Sequence, residues 1–462
     1  MLQPTIGLLP LYLKLYDDVK SEVRAEFQPF MDTLVDGFEA RGVKTVRADV
    51  CRIKEEFANA VTRFKNESVD LIVTLHLAYS PSLESADILA GTELPILMLD
   101  TTMDPSFGQD TPPERIMFNH GIHGVQDLAS VLRRKGKHFE IVAGHAADPE
   151  VLDRAAGMAR AAVAAKCLRT TRVLRIGPAF EGMGDFAPPE TLMEWLLGID
   201  TEQIKVGTLA SEVATITEEA IEAEMDIDRQ RFSVEASSEA HRRSVRVGLA
   251  LRKWLEEGDY SAFSMNFMKF DSPDGPIDTV PFLEASKAMA RGYGYAGEGD
   301  VLTAALVGAL NKAFGKTTFT EVFCPDWENG ALFLSHMGEI NPEVAADTPR
   351  LIEKDFPFTP ARNPAILTCA LHEGAAVLVN LAPGPEDTFG LIVAPVQVLE
   401  DTRVEAMKDA IRGWIRPEMP LEIFLEEYSM NGGTHHSALV FGDRVSEIVA
   451  FGSFAGLEIT VL

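Results

Sequence analysis

Short apolar runs alternate with longer amphipathic stretches through the first third of the chain. "PTIGLLPLYL" reads as a strand, and the stretch from about Val19 to Ala40 as a helix stopped at Gly42. "KTVRADV" is a strand, "IKEEFANAVTRFK" a helix, and "VDLIVTLHL" a buried strand. A helix near Glu84, the strand "LPILMLD", a helix over Val125–Lys135, the strand "HFEIVAG" and a helix over Pro149–Lys166 follow. Near-continuous apolar strands separated by helices predict a doubly wound parallel sheet covered on both faces.

"TRVLRIGPAF" opens a second α/β unit, which contains "IKVGTLAS", a long charge-rich helical segment from about Thr215 to Glu257, and "YSAFSMNFMKF". After about Lys316 the pattern changes. "TFTEVF", "GALFLSH", "AILTCAL", "AAVLVNLA", "FGLIVAPVQVL", "LEIFLEEY", "SALVFG" and "GLEITVL" read as closely spaced strands, with one helix expected near Arg403–Trp414. Such spacing predicts an antiparallel sheet or barrel. The expected organisation is an N-terminal doubly wound parallel α/β domain over 1–170, a central α/β domain over 171–315 and a C-terminal antiparallel, barrel-like β-rich domain over 316–462. A chain of 462 residues is too long for one core.

Composition narrows the partners. The formal net charge of −28 is spread along the chain, and a field of that sign repels phosphate backbones and anionic lipid. Nucleic acid and membranes are therefore not expected as partners. Cys51, Cys167, Cys324 and Cys369 form no C-x-x-C pair, as in a reducing compartment. The N-terminal "MLQPTIGLLPLYLKLYDD" lacks a basic n-region and a cleavage site, so a cytoplasmic location is expected. No G-x-G-x-x-G follows a strand in the way a dinucleotide site requires, and there is no G-x-x-x-x-G-K-(S/T).

Four places carry candidate chemistry. In "GYGYAGEGDVLTAAL", Glu298 lies between two glycines ahead of a helix that Asp300 would cap. In "TFTEVF", strand alternation puts Phe319, Glu321 and Phe323 on one face. In "LFLSHMGEINP", His336 ends an apolar strand, where a side chain can leave the core. In "MNGGTHHSALVFG", His435 and His436 follow a Gly-Gly turn; in a regular strand only one of them would face a given site, and the turn can relax that limit. Two carboxylates and two imidazoles without thiolate suit a divalent cation of borderline hardness. Mn²⁺ is the first choice, with Mg²⁺, Co²⁺ or Fe²⁺ as alternatives.

These motifs, in this order, resemble the L-arabinose isomerase family, related in fold to the L-fucose isomerases. "YAGEGD" is similar to the family's acid loop, "FTE" to its Phe-x-Glu, "LSHMGEINP" to its His-Met-x-Glu stretch and "GGTHHSA" to its double-histidine motif. Upstream, "LHLAYSPS", "FNHGIHG" and "VAGHAADPEV" resemble a Met-His-Thr-Phe-Ser-Pro segment, an Asn-Gln-x-x-His-Gly segment and a Gly-His-x-x-Asp-Pro stretch. The resemblance implies a metal-dependent aldose–ketose isomerase acting through an enediolate. It implies Glu298, Glu321, His336 and His436 as metal ligands, with Glu298 and Glu321 also the acid/base pair. It places His435, His123, Tyr79 and His120 on the sugar, and it implies a trimer or hexamer with active sites between subunits. The family's N-terminal glutamine has no counterpart in "IGLLPLYL", and His120 stands where glutamine is usual. A retained metal site and a rebuilt sugar pocket point to a sugar other than, or additional to, L-arabinose. The competing expectations are a non-catalytic sugar-binding or regulatory protein on the same scaffold, and an epimerase or lyase using the same enediolate.

Overall fold

The computed structural model describes residues 1–402 and 405–462. It divides into two compact units, one of residues 2–165 with 450–456, the other of Met1, 166–449 and 457–462. Among the described residues no helix is long and apolar enough to cross a membrane.

In the 2–165 unit, strands β1 (Thr5–Leu11), β2 (Lys44–Arg47), β3 (Leu71–His76), β4 (Ile96–Asp100) and β5 (Glu140–Ala143) form one sheet in the order β2-β1-β3-β4-β5. Every pairing is parallel. β3 is buried at all its positions, which explains its unbroken apolar run. The Lys54–Asn66 helix buries Phe57, Ala60, Val61 and Phe64, and the Ile122–Arg134 helix buries Val125, Leu128, Val131 and Leu132. Both sets follow the three-and-four spacing of one helix face. The helix expected from Val19 to Ala40 is instead broken into Val23–Glu26 and Gln28–Glu39. Pro29, in the first turn of the second piece, has no N–H to continue the ladder.

The larger unit holds β6 (Arg172–Ile176), β7 (Asp200–Ile204), β8 (Ser233–Val234), β9 (Ala262–Met265) and β10 (Gly294–Gly297). Four of these make a parallel sheet in the order β10-β9-β6-β7. The segment expected as one long helix from Thr215 to Glu257 is two helices, Glu218–Arg231 and Ser238–Glu257, with β8 between them. Each starts on a capping hydroxyl: Thr217 accepts from the Ala220 N–H and Ser237 from the Ala240 N–H. These helices and the Phe282–Ala290 helix share a buried ion network. Lys287 bonds Asp228 at 2.6 Å and also meets Glu224, while Arg252 bridges Glu224 at 2.6 Å and Glu284 at 2.9 Å. Charges at such depth are tolerated because each has a partner.

From Lys316 the chain builds β11 (Thr317–Asp326), β12 (Ala331–Ser335), β13 (Arg350–Glu353), β14 (Ala365–Thr368), β15 (Gly374–Pro383), β16 (Phe389–Val398), β17 (Gly413–Pro417), β18 (His436–Phe441) and β19 (Glu458–Val461). The sheet order is β15-β18-β11-β12-β17-β16-β19, and β15 also pairs with β16, which closes the barrel. The remaining sheet is β14-β13-β8.

Three expectations fail in this part of the chain, the first being that of a single helix, since a helix over Val445–Ala455 also follows β18. "LEIFLEEY" forms a helix, Leu421–Met430, rather than a strand. Its buried positions, Leu421, Phe424 and Tyr428, keep helical spacing, and Pro420 sits at the start. The helix expected near Arg403–Trp414 begins at a position outside the described residues; beyond it, only a single turn at Glu405–Met407 precedes strand β17.

Candidate metal and catalytic site

β10 ends at Gly297, and Glu298 follows with a left-handed backbone, φ 63°. An L-residue in that region costs roughly 1–3 kcal/mol and persists where the surroundings hold it. The flanking glycines are required by sterics. A Cβ on Gly297 would lie 2.9 Å from His336 Cε1, and one on Gly299, at φ 86°, would lie 2.6 Å from the Ala179 Cα. The chain is thus folded tightly enough to press Glu298 against the imidazoles. Asp300 caps the Val301–Phe314 helix as expected, its Oδ1 accepting from the Thr303 N–H at 2.9 Å. Its other oxygen, Oδ2, lies 3.0 Å from His436 Nδ1.

The barrel supplies the other groups through its register. On β11, Glu321 lies opposite His436 of β18 on one side and Ser335 of β12 on the other. Opposed residues in an antiparallel pair share a face, so Glu321 and His436 point the same way. β12 stops at Ser335, which frees the His336 ring from strand alternation. Phe319, two residues before Glu321, meets the rings of His336 at 4.7 Å and His436 at 4.9 Å. Phe323 does not share that face: the register shifts between Val322 and Cys324, and Phe323 is exposed. His435 precedes β18, and its ring centre lies 4.4 Å from that of His436. The turn therefore brings both histidines to one place.

Each of the three imidazoles has Nδ1 engaged by a carboxylate. His336 is 2.7 Å from Glu339 Oε2, His436 is 3.0 Å from Asp300 Oδ2, and His435 is 2.5 Å from Asp185 Oδ2. The Nε2 atoms face the two glutamates. His336 Nε2 is 3.9 Å from Glu321 Oε2, and Glu298 Oε2 is 3.7 Å from His436 Nε2 and 3.9 Å from His435 Nε2. Ligand atoms of Glu298, His435 and His436 lie within 4.8 Å of one another, as do those of Glu321, His336 and His436. Burial pushes both glutamates up. At Glu321 it prevails and the carboxyl is raised, whereas at Glu298 the facing imidazoles of His435, His436 and His336 outweigh it and the carboxyl is lowered. Burial pulls His336 and His435 down, and their carboxylate partners outweigh it, raising His336 and lifting His435 to about 9.

His120, His123 and Tyr79 lie in the 2–165 unit, where they form a cluster of their own. They sit beyond the carboxyl ends of β1 and β3, between which the strand order reverses, the usual ligand position in such sheets. The His120–His123 ring centres are 5.7 Å apart and the Tyr79–His123 centres 6.4 Å. His120 Nδ1 faces the Ile116 carbonyl at 2.7 Å and so carries the proton, which leaves Nε2 to accept from the Tyr16 hydroxyl at 3.1 Å. Tyr79 donates to Asp127 at 3.4 Å.

Sequence reasoning missed three groups. Glu339 is buried, takes hydrogen bonds from the Tyr295 hydroxyl at 2.7 Å and the Gly338 N–H at 2.9 Å, and holds His336. Its place three residues after His336 was the available signal. Asp185 and Phe186 come from the segment after β6. Asp185 also accepts from the His435 N–H at 3.2 Å, and Phe186 stacks on His436 at 4.9 Å with 7° between ring planes. Nothing local in "GMGDFAPPE" marks them.

The site fits a divalent cation on one observation above all. The His436 ring is fully buried, its Nδ1 is held by Asp300, and its Nε2 has no hydrogen-bond partner. A buried nitrogen left bare costs about 1–3 kcal/mol, and a cation among the facing carboxylates satisfies it. Carboxylates holding the far nitrogen of each ring are the usual support of metal-ligating histidines.

Residues 190–316 match the family profile of the L-arabinose isomerase central domain, and residues 316–458 that of the C-terminal domain. The chain is 27% identical to an L-arabinose isomerase of Geobacillus kaustophilus (strain HTA426), covering 92% of this chain and 86% of that protein. It is also 27% identical to one of Acidothermus cellulolyticus, over 96% of this chain and 91% of that protein. A third, from Lactiplantibacillus plantarum, is 27% identical over 90% and 89%. The chain belongs to the L-arabinose isomerase family, as a divergent member of it.

Proposed function

We propose that this aldose–ketose isomerase is metal-dependent and moves protons through an enediolate, with Glu298 and Glu321 as its acid/base pair. The reading is carried by two overlapping groups of ligand atoms, Glu298 with His435 and His436 and Glu321 with His336 and His436, the shared His436 having its Nε2 buried without a partner. Glu298, Glu321, His336 and His436 would hold a divalent cation, Mn²⁺ by preference, whose chemistry is to polarise the sugar carbonyl and its neighbouring hydroxyl. One glutamate takes the proton from C2, and the other carries a proton between the oxygens at C1 and C2. Delivery of a proton to C1 completes the ketose. His435, held by Asp185, donates to a sugar hydroxyl. His123, His120 and Tyr79 of the 1–170 module would bind the sugar held by a neighbouring subunit. The division at residues 170 and 315 is part of the proposal; family profiles that meet at residue 316 support the second of these boundaries.

The curated relatives are named for L-arabinose. For this chain we propose a sugar other than, or additional to, L-arabinose, because His120 and "IGLLPLYL" depart from the family's sugar-binding residues. A homo-oligomer is part of the same reading and is read directly by light scattering. The deciding experiment supplies Mn²⁺ and a panel of aldoses and ketoses in deuterium oxide. Turnover with deuterium entering at C1 or C2 is expected. Turnover without deuterium would replace proton transfer by a hydride shift, and no turnover on any sugar would overturn the enzyme reading.

A further inference from the structure

Three histidines stand beside the two glutamates, and all three are built alike. Asp185 gives His435 the same carboxylate support that Glu339 gives His336 and Asp300 gives His436. A histidine kept only to touch a sugar hydroxyl does not need its Nε2 aimed at a carboxylate, yet His435 Nε2 points to Glu298 Oε2 at 3.9 Å. That separation is too long for a hydrogen bond. Bonds of about 2.1 Å to a shared ion set neighbouring ligand atoms roughly 3–3.5 Å apart, so a small inward movement would place one ion between them. His436 Nε2, buried and unpartnered, stands 3.7 Å from the same glutamate oxygen.

We propose that the protein has two overlapping positions for one divalent cation, the second formed by Glu298, His435 and His436, so that His435 is a metal ligand. This rests on the reading of the site as metal-binding; it divides the four-ligand set proposed above between two positions, and His435 meets the sugar only while the ion occupies the other one. The two positions exclude each other, because His436 has one free nitrogen and both need it. Glu321 and His336 complete one position, and Glu298 and His435 the other. Whichever glutamate is released from the ion keeps its lone pairs for a proton. Two overlapping positions thus explain how the same carboxylates can act both as ligands and as acid and base.

The test uses the full-length protein and Mn²⁺ alone, without sugar. Calorimetry gives stoichiometry and affinity, and electron spin echo envelope modulation counts the imidazole nitrogens coupled to the ion. One ion per chain is expected; two would overturn the sharing of His436. In His336→Gln the bound ion is expected to keep two imidazole couplings, from His435 and His436. A single coupling would overturn the second position. Adding His435→Gln to that variant should leave one coupling and weaken binding by a further factor of about 10–100. Because His336 is buried, His435→Gln alone provides the control that does not depend on its replacement. Its Mn²⁺ spectrum should lose one of two components relative to the unaltered protein, and an unchanged spectrum would overturn the proposal. Failure of the unaltered chain to bind Mn²⁺ at all would instead overturn the metal reading itself.

Discussion

At Glu298 a left-handed backbone and two close-packed glycines hold one carboxylate against a nest of imidazoles. Its partner in the proposed chemistry, Glu321, is fixed by strand pairing instead. Replacing either by glutamine should lower kcat by about 10²–10⁴ and leave the far-ultraviolet circular dichroism unchanged. Full activity in both variants would remove them from the reaction. Glu339 acts through His336, so Glu339→Gln should weaken Mn²⁺ binding about 10–100-fold, measured by calorimetry. Unaltered affinity would reduce Glu339 to a packing role. The candidate ligands were legible because each breaks a local pattern: an acid between glycines, an acid on an apolar strand, a histidine at a strand end. Asp185 was not legible, because 250 residues separate it from the histidine it holds and only the fold joins them.

Among the elements, the Val301–Phe314 helix and strand β11 connect stability to the site. Asp300 both caps the helix and holds His436. Asn caps as well as Asp, so Asp300→Asn should barely move the melting temperature while weakening Mn²⁺ binding about 10–100-fold. Asp300→Ala should weaken binding and also cost about 1–2 kcal/mol of stability. Equal melting temperatures for the two variants would show that the cap contributes nothing. Most strands and helices were legible from apolar periodicity alone. The exceptions have physical causes. "LEIFLEEY" carries apolar residues that fit both a two-residue and a 3.6-residue period, and Pro420 with the buried Leu421, Phe424 and Tyr428 decides for a helix. The 19–40 stretch keeps helical periodicity across a point where Pro29 interrupts the ladder.

For the whole molecule, acid should undo the two units in different windows. His76, at the end of β3, is buried with both ring nitrogens unpartnered, and burial holds it down to about 4 from an ordinary 6.5. Its folded value lies below its unfolded one, so the full stability is present above pH 6.5. About 3 kcal/mol is lost from the 2–165 unit as pH falls toward 4. In the other unit, burial pushes Glu224 up, but Arg252 and Lys287 outweigh it and hold it at about 2 against an ordinary 4.5. That contribution is complete above pH 4.5 and drains away only below it, by a similar amount. Hydrogen exchange followed by mass spectrometry between pH 8 and 3 should show protection failing first in peptides from 2–165; simultaneous loss would contradict it. At this scale the parallel sheets and the barrel were legible from strand composition, whereas the closure of the barrel by β15 on β16 left no mark in either strand. Glu321, His436 and Ser335 stand in one rank across three neighbouring strands, with His336 directly after the last. A slip of one residue between those strands would turn the acid away from its partners and remove it from the proposed chemistry. Insertions that lengthen the outlying loops disturb no such alignment. A change of sugar can therefore be accommodated in the loops, whereas a change in the strand spacing dismantles the proposed site.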